Sequence, residues 1–268
     1  MQLAQATKQA VKDAFPELWL RWHFSRRPKT AERELLYLNK LVPRGSITVD
    51  VGANCGLYTR ELAKLSRHVH AFEPSRQMAT LLRRTSATNV QVHEIACSDR
   101  NGAADLFIPS GEKGLVFGLA SIEKHASGDL HSASLHTTQV KTARLDCVID
   151  QEVTFVKVDV EGHELSVLRG AIELIKKCQP VFLVEAEDRH RESATLSVFE
   201  FFDEWGYRGY FLENDIIRPV AEFDPVRLQD ASALMSDGGR GEGRSYVNNF
   251  FFFPSHINGE AALRYAQP

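Results

Sequence analysis

The stretch Ile47-Thr48-Val49-Asp50-Val51-Gly52-Ala53-Asn54-Cys55-Gly56 constrains this chain more than any other. Apolar and β-branched residues lead into an acid and then into glycines. Helix-like periodicity resumes at Leu57, with Leu57, Leu62, Ala63 and Leu65 on one side. That order reads as a buried strand, a tight turn and the start of a helix. Glycines let a backbone come close to a ligand, and the free N–H groups of a helix start point at it. The turn is therefore a candidate site for an anionic or hydroxyl-rich ligand. An ordinary strand–helix connection has the same pattern, so the rest of the chain must decide.

Further strands are expected at His68–Phe72, Val90–Ala96, Ala104–Ile108, Val140–Ile149, Thr154–Val160, Val181–Glu187, Tyr207–Leu212 and Val247–Pro254. Helical patterns lie between several of them, from Ser75, whose hydroxyl suits an N-cap, from Leu165, and over Leu196–Trp205. The alternation predicts an α/β fold with a mainly parallel, doubly wound sheet. In such sheets the ligand sits above the C-terminal strand ends at the switch point. Asp50, Glu73, Asp99, Asp159 and Glu185 all occupy such ends. The run Phe250–Phe253 is too short for a membrane anchor and fits a strand buried on both faces.

With 268 residues there is room for one such domain and additions. Residues 1–45 are expected to form a helical cap. Ala10, Val11, Ala14, Phe15 and Leu18 recur at helical spacing, as do Leu35, Leu36, Leu38 and Leu41, with Trp19, Trp22 and Phe24 between them and basic Arg26, Arg27 and Lys29 after. The aromatics of this segment are candidates for a homodimer contact. A formal charge of −3 offers no general attraction for nucleic acid or an anionic membrane. No stretch reaches the roughly 20 apolar residues of a membrane span, and no signal core follows the N-terminus. Cys55, Cys97, Cys147 and Cys178 are widely spaced, as expected of reduced thiols in a cytoplasmic protein.

Glu73 lies 23 residues beyond Asp50, at the end of the second strand. An acid at that distance from a glycine turn is placed to accept hydrogen bonds from both hydroxyls of a ribose. Ala96 to Asp99 border the same crevice, where Ser98 or Asp99 can meet an adenine edge, although Ser-Asp-x-Asn-Gly is also good turn chemistry. Residues 109–138, rich in Gly, Ser and His (His125, His131, His136), are expected to be a partly mobile substrate loop. Lys157 and Asp159 share one strand face, which reads either as a buried ion pair or as a functional acid. The glycines from Asp237 to Ser245 follow no strand and read as a surface loop.

A nicotinamide dinucleotide expects G-x-G-x-x-G with its pyrophosphate on the helix start. Here only Gly52 and Gly56 are present, with Asn54 between them, and Asp50 would meet a pyrophosphate unfavourably. S-adenosyl-L-methionine carries an amino group and a sulfonium and no phosphate, and suits the acids better. An NAD-linked oxidoreductase and a non-catalytic binding domain on the same fold are the alternatives.

Asp50–Gly56 resembles the first motif of class I S-adenosylmethionine-dependent methyltransferases. Val156-Lys157-Val158-Asp159-Val160-Glu161-Gly162-His163-Glu164, followed by Val167-Leu168-Arg169-Gly170-Ala171, resembles more specifically the FkbM-type methyltransferases. Phe72-Glu73-Pro74, Ala96 with Ser98-Asp99, Arg144-Leu145-Asp146 and Asn249–Pro254 fit the same pattern, over roughly residues 45–254. The resemblance implies a Rossmann-like, seven-stranded sheet with an antiparallel C-terminal strand. The divisions that follow are an extension at 1–45, a methyltransferase domain at 46–256 and a tail at 257–268. It implies methyl transfer, usually to an oxygen of a small molecule or sugar. Asp50, Gly52, Asn54 and Gly56 then serve the methionine side of the cofactor, Glu73 its ribose and Ser98-Asp99 its adenine. Asp159 borders the transferred methyl, and His163 and Glu185 are further candidates for catalysis or acceptor contact. No dedicated metal site is expected, although Asp159 and Glu185 have the oxygens to hold Mg²⁺.

Overall fold

A computed structural model describes residues 32–111, 114–123, 135–230, 232 and 245–266. The helical pattern before Thr30, His125, His131 and nearly all of the 237–245 glycine run lie outside these residues. The described strands are β1 (Ile47–Val51), β2 (His68–Phe72), β3 (Val90–His93), β4 (Ala96–Cys97), β5 (Gly102–Gly111), β6 (Gly114–Leu115), β7 (Leu135–Ala143), β8 (Val153–Val158), β9 (Val181–Glu185), β10 (Tyr207–Glu213), β11 (Ile216–Pro219) and β12 (Asn249–Pro254). The described α-helices are α1 (Leu38–Leu41), α2 (Leu57–Ala63), α3 (Arg76–Thr85), α4 (Glu164–Arg169), α5 (Ile172–Cys178), α6 (Ala194–Glu204), α7 (Pro225–Leu228) and α8 (Gly259–Ala266).

The main sheet has the order β11-β10-β12-β9-β8-β1-β2-β3. β1 pairs in parallel with β2 on one side and β8 on the other, so the winding reverses at β1/β8. That reversal opens a crevice above the C-terminal ends of β1 and β8. β12 runs antiparallel between β9 and β10, as expected of the closing strand. The expected seven strands are joined by an eighth, β11. It returns on β10 through Asn214 and Asp215, both at positive φ (50° and 67°), as a tight hairpin turn requires.

The Phe run explains how the sheet is sealed. With side chains alternating, Phe250 and Phe252 pack into the core on one face with Val49, Val51, Val156, Val158 and Phe182. Phe251 and Phe253 pack on the other face with Tyr58, Leu62, Phe155 and Leu183. Each sheet face is thus apolar, and β1 is buried along its whole length. Leu38 and Leu41 of the expected cap join the second of these cores. The stretch expected to be a tail instead forms α8, whose fully buried Leu263 lies in that core.

Two strand expectations change. Val90–Ala96 splits: β3 ends at His93, and β4 leaves for a separate sheet of order β4-β7-β5-β6. Of the 109–138 segment, the described residues include the end of β5 at Gly111, β6, and the start of β7 at Leu135, with β5 and β7 paired antiparallel. β7 is mostly exposed, so its polar residues lack the apolar alternation that marks a half-buried strand. Strand structure ends at Ala143, and Arg144-Leu145-Asp146 has a packing role. Leu145 is fully buried, and Asp146 accepts the backbone N–H groups of Glu173 (3.2 Å) and Leu174 (2.9 Å) at the start of α5. No described helix is long and apolar enough to cross a membrane.

Candidate functional site

A cleft opens above the switch point. Gly52, Asn54 and Glu73 line one side of it, Ala96 and Cys97 another. Asp159, Glu161 and His163 also line it, together with Phe117, Gly118, Ala120, Ser121 and Ile122. Phe72, Ile95, Leu106, Phe117 and Ile122 add apolar surface between these polar groups, the mixture by which small-molecule sites bind and orient a ligand.

The turn after β1 is built for close approach. Gly52 has φ +80°, and its Cα faces the backbone carbonyl of Asp159 so tightly that no side chain fits. Asn54 also holds positive φ, 46°, which Asn tolerates. Gly56, at φ +89°, turns the chain into α2 beneath Leu82. The amides of this turn do not point freely at a ligand as expected. Gly52 and Ala53 donate to Phe72 O (3.0 and 2.9 Å), Asn54 to Glu73 Oε2 (2.8 Å) and Gly56 to Ala53 O (2.8 Å). The turn is tied to β2, which leaves little for a pyrophosphate to bind.

Glu73 is held from both sides. Its Oε2 accepts from Asn54 N–H and its Oε1 from Ser75 N–H, each at 2.8 Å. Each carboxylate oxygen keeps a lone pair for another donor. Burial pushes the Glu73 carboxyl up to about 7 against those two hydrogen bonds. Ser75 also caps α3, accepting from Met78 N–H at 3.4 Å.

Asp50 is not a lining residue, contrary to the expectation of direct ligand contact. The strand alternation turns it to the opposite sheet face, where Thr59 Oγ1 donates to its Oδ2 at 2.5 Å. Burial lifts its carboxyl to about 6, opposed by Thr59 and by Lys157. Lys157, its register partner, is completely buried. The Lys157 ammonium donates to Asn249 Oδ1 (3.0 Å) and lies 3.7 Å from Glu185 and 3.9 Å from Asp159. Burial would lower the Lys157 pKa, but these carboxylates outweigh it and raise it. The expected ion pair between Lys157 and Asp159 is present, and Asp159 also lines the cleft. Among the described residues no three metal-binding side chains group around an ion site, and the Lys157 ammonium neutralises the two acids considered for Mg²⁺.

Behind Asp159 lies a second network that sequence reasoning only touched. Glu185 accepts from Asn248 Nδ2 (2.6 Å), and burial together with Asp159 drives its carboxyl well above the usual range. Glu161, at φ +53°, pairs with His190 Nε2 at 2.6 Å. Glu187 accepts from Arg189 Nε (2.5 Å) and from the Tyr246 hydroxyl. Burial would raise the Glu187 carboxyl, but the bonds from His190 and Arg189 hold it below the usual range. Burial likewise opposes the charge on His190, and Glu161 and Glu187 overcome it to lift the ring to about 9.

Ser98 and His163 come together, whereas Asp99 stands outside the cleft lining. Ser98 Oγ lies 3.0 Å from His163 Nε2 and 3.2 Å from Asp99 Oδ1, and His163 Nδ1 lies 2.6 Å from Glu123 Oε1. Ala96 and Cys97, rather than Ser98 and Asp99, line the cleft. Phe117, Ser121, Glu123, His190 and Tyr246 escaped the sequence reading. No local pattern marks them, because Phe117, Ser121 and Glu123 reach the site through the second sheet, His190 through the segment after β9, and Tyr246 through the chain's return to β12.

The family model described as the methyltransferase FkbM domain matches residues 50–208. Among solved structures, the chain is similar to the methyltransferase FkbM from Methylobacillus flagellatus KT, at 19% identity and a TM-score of 0.48, covering 78% of this chain and 44% of that one. The chain thus spans less than half the length of that protein. It is also similar to the precorrin-6y C5,15-methyltransferase from Geobacter metallireducens GS-15 (15% identity, TM-score 0.45, covering 84% of this chain and 88% of that one). A third likeness is to an rRNA methylase from Streptococcus thermophilus (12% identity, TM-score 0.44, covering 85% of this chain and 98% of that one). No curated protein matches the sequence.

Proposed function

Since the chain belongs to the FkbM methyltransferase family, we propose that it methylates a hydroxyl oxygen of a small molecule or sugar, with S-adenosyl-L-methionine as donor. The observation that carries the cofactor assignment is the Glu73 carboxylate. It is fixed by two backbone N–H groups at the edge of the cleft and retains acceptor capacity for two hydroxyls. The residues fit the group. Glu73 is suited to the ribose, the cleft beside Ala96 and Cys97 to the adenine, and the Gly52–Asn54 turn to the methionine portion. Asp50 acts from behind the turn through charge rather than contact.

The cofactor supplies a methyl group already activated on a sulfonium. What remains for the protein is to hold an acceptor oxygen in line and to take its proton. Asp159 is our choice for the proton acceptor. It lines the cleft with its side chain 31% exposed and 3.9 Å from the Lys157 ammonium. Glu161 lines the same cleft and is suited to hydrogen-bond a hydroxylated acceptor, whereas Glu185 lies outside the lining, 3.7 Å from the Lys157 ammonium. The turn amides consumed by Phe72 and Glu73 argue against the dinucleotide alternative.

Calorimetric titration tests the cofactor assignment. S-adenosylmethionine should bind saturably and NADH should not. Glu73→Ala should weaken binding at least tenfold, about 1.4 kcal/mol. An unchanged dissociation constant in a folded variant would remove Glu73 from the site.

A further inference from the structure

We propose that residues 117–123 are a strap closed over the cofactor end of the cleft, and that His163 is its latch rather than the base of the reaction. The proposal rests on the cofactor reading above. Phe117, Gly118, Ala120, Ser121 and Ile122 all line the cleft, and a Cβ on Gly118 would lie 3.7 Å from Asn54 Nδ2, so the segment reaches the glycine turn as part of the cleft wall. The strap is hinged to the second sheet through the paired backbone bonds of Phe107 and Ser121 (2.8 and 3.1 Å). Its own turn, Phe117–Leu119, buries none of its residues, so apolar packing holds it weakly.

Two polar contacts fasten it to the loop after β8. Ser121 Oγ donates to the backbone carbonyl of Glu161 (2.8 Å) and accepts from Glu123 N–H (3.0 Å). The Glu123 carboxylate meets His163 Nδ1 at 2.6 Å. A carboxylate only accepts, so Nδ1 carries the hydrogen and the tautomer is set. Nε2 then faces Ser98 Oγ at 3.0 Å. If Nε2 is bare, Ser98 donates to it. If Nε2 is protonated, Ser98 accepts and turns its own hydrogen to Asp99 Oδ1, 3.2 Å away. Both ring nitrogens are thus engaged in either protonation state. No lone pair of His163 is left for an acceptor hydroxyl, and the clasp survives a change of charge.

Enclosure by this strap makes exchange of the spent cofactor depend on breaking the clasp. Stopped-flow measurement of S-adenosylhomocysteine release from the full chain tests this. Glu123→Ala and His163→Ala should each speed release at least tenfold, and the double variant should release no faster than either alone, because both remove one contact. His163→Asn should release at close to the wild-type rate, since its amide nitrogen takes the place of Nδ1 and still donates to Glu123. Release at the wild-type rate in Glu123→Ala, or effects of the two alanine variants that multiply, would overturn the strap. Wild-type protein that fails to bind S-adenosylhomocysteine at equilibrium would overturn the cofactor reading together with the strap; binding with unaltered exchange would overturn the strap alone.

Discussion

Gly52 and Gly45 offer a controlled pair for the geometry on which the cleft depends. Both have positive φ, +80° and +75°, so an alanine at either incurs a similar backbone cost of about 1–2 kcal/mol. Their surroundings differ. A Cβ on Gly45 meets nothing within 4 Å, whereas on Gly52 it would lie 1.7 Å from the Asp159 carbonyl oxygen and 2.8 Å from its carbon. An ordinary C···O separation is about 3.3 Å, so the loop after β8 would have to retreat by roughly 1.6 Å. That retreat breaks the bond from Asp159 N–H to Val51 O, now 2.9 Å. Losing a buried bond costs about 1–3 kcal/mol and overpacking about 1–3 kcal/mol more. Gly52→Ala should therefore lose at least about 3 kcal/mol in urea denaturation and Gly45→Ala about 1 kcal/mol, with unchanged denaturant slopes. The same displacement should weaken S-adenosylmethionine binding only in Gly52→Ala. Equal losses at the two positions would refute the close approach of the two loops, and with it the shape of the site.

The remaining predictions concern buried charge. Burial pushes the Glu164 carboxyl up to about 7 from the usual 4.5, while its Oε1 accepts from Gly162 N–H at 2.8 Å and its Oε2 meets no hydrogen-bond partner among the described residues. A raised acid stabilises the fold below pH 4.5 and loses that contribution as pH rises through 7, so Glu164→Gln, which keeps the oxygen acceptor, should gain on wild type by about 2.5 kcal/mol between pH 5 and pH 8 in denaturant titrations. Lys157→Met should cost about 3–5 kcal/mol at pH 8, because it strands Asp159 and Glu185 without their counter-ion. The loss should shrink as pH falls, because burial drives the Glu185 carboxyl toward its protonated form; a pH-independent loss in thermal melts would count against the pairing. Asp159→Asn should lower turnover, with an acceptor found by screening, at least about 100-fold while S-adenosylhomocysteine affinity moves less than about threefold.

Most of the main sheet was legible because burial on both faces leaves its mark locally. Ile47–Val51, His68–Phe72 and Phe250–Phe253 read as strands from composition alone, and all three are paired and buried. Ser75 announced its cap. The second sheet was hard to read. β7 is mostly exposed, and its partner β5 lies well before it in the chain, so no local period marks the pairing. The motif Arg144-Leu145-Asp146, expected inside a strand, lies beyond its end and caps a helix that follows much later in the chain, a long-range contact no local pattern marks.

By itself the chain determined which acids end strands and where the backbone must turn without side chains, because both follow from residue type at short range. Tertiary structure decided which way those acids face and what neutralises them. Asp50 and Glu73 close successive parallel strands, yet one looks through the sheet toward Lys157 and the other into the cleft. Lys157 is fully buried and lies within 4 Å of both Asp159 and Glu185. Strand register and long-range pairing settle such contacts, and a charge taken out of water is stable only beside the partner that the fold, rather than the neighbouring residues, brings to it.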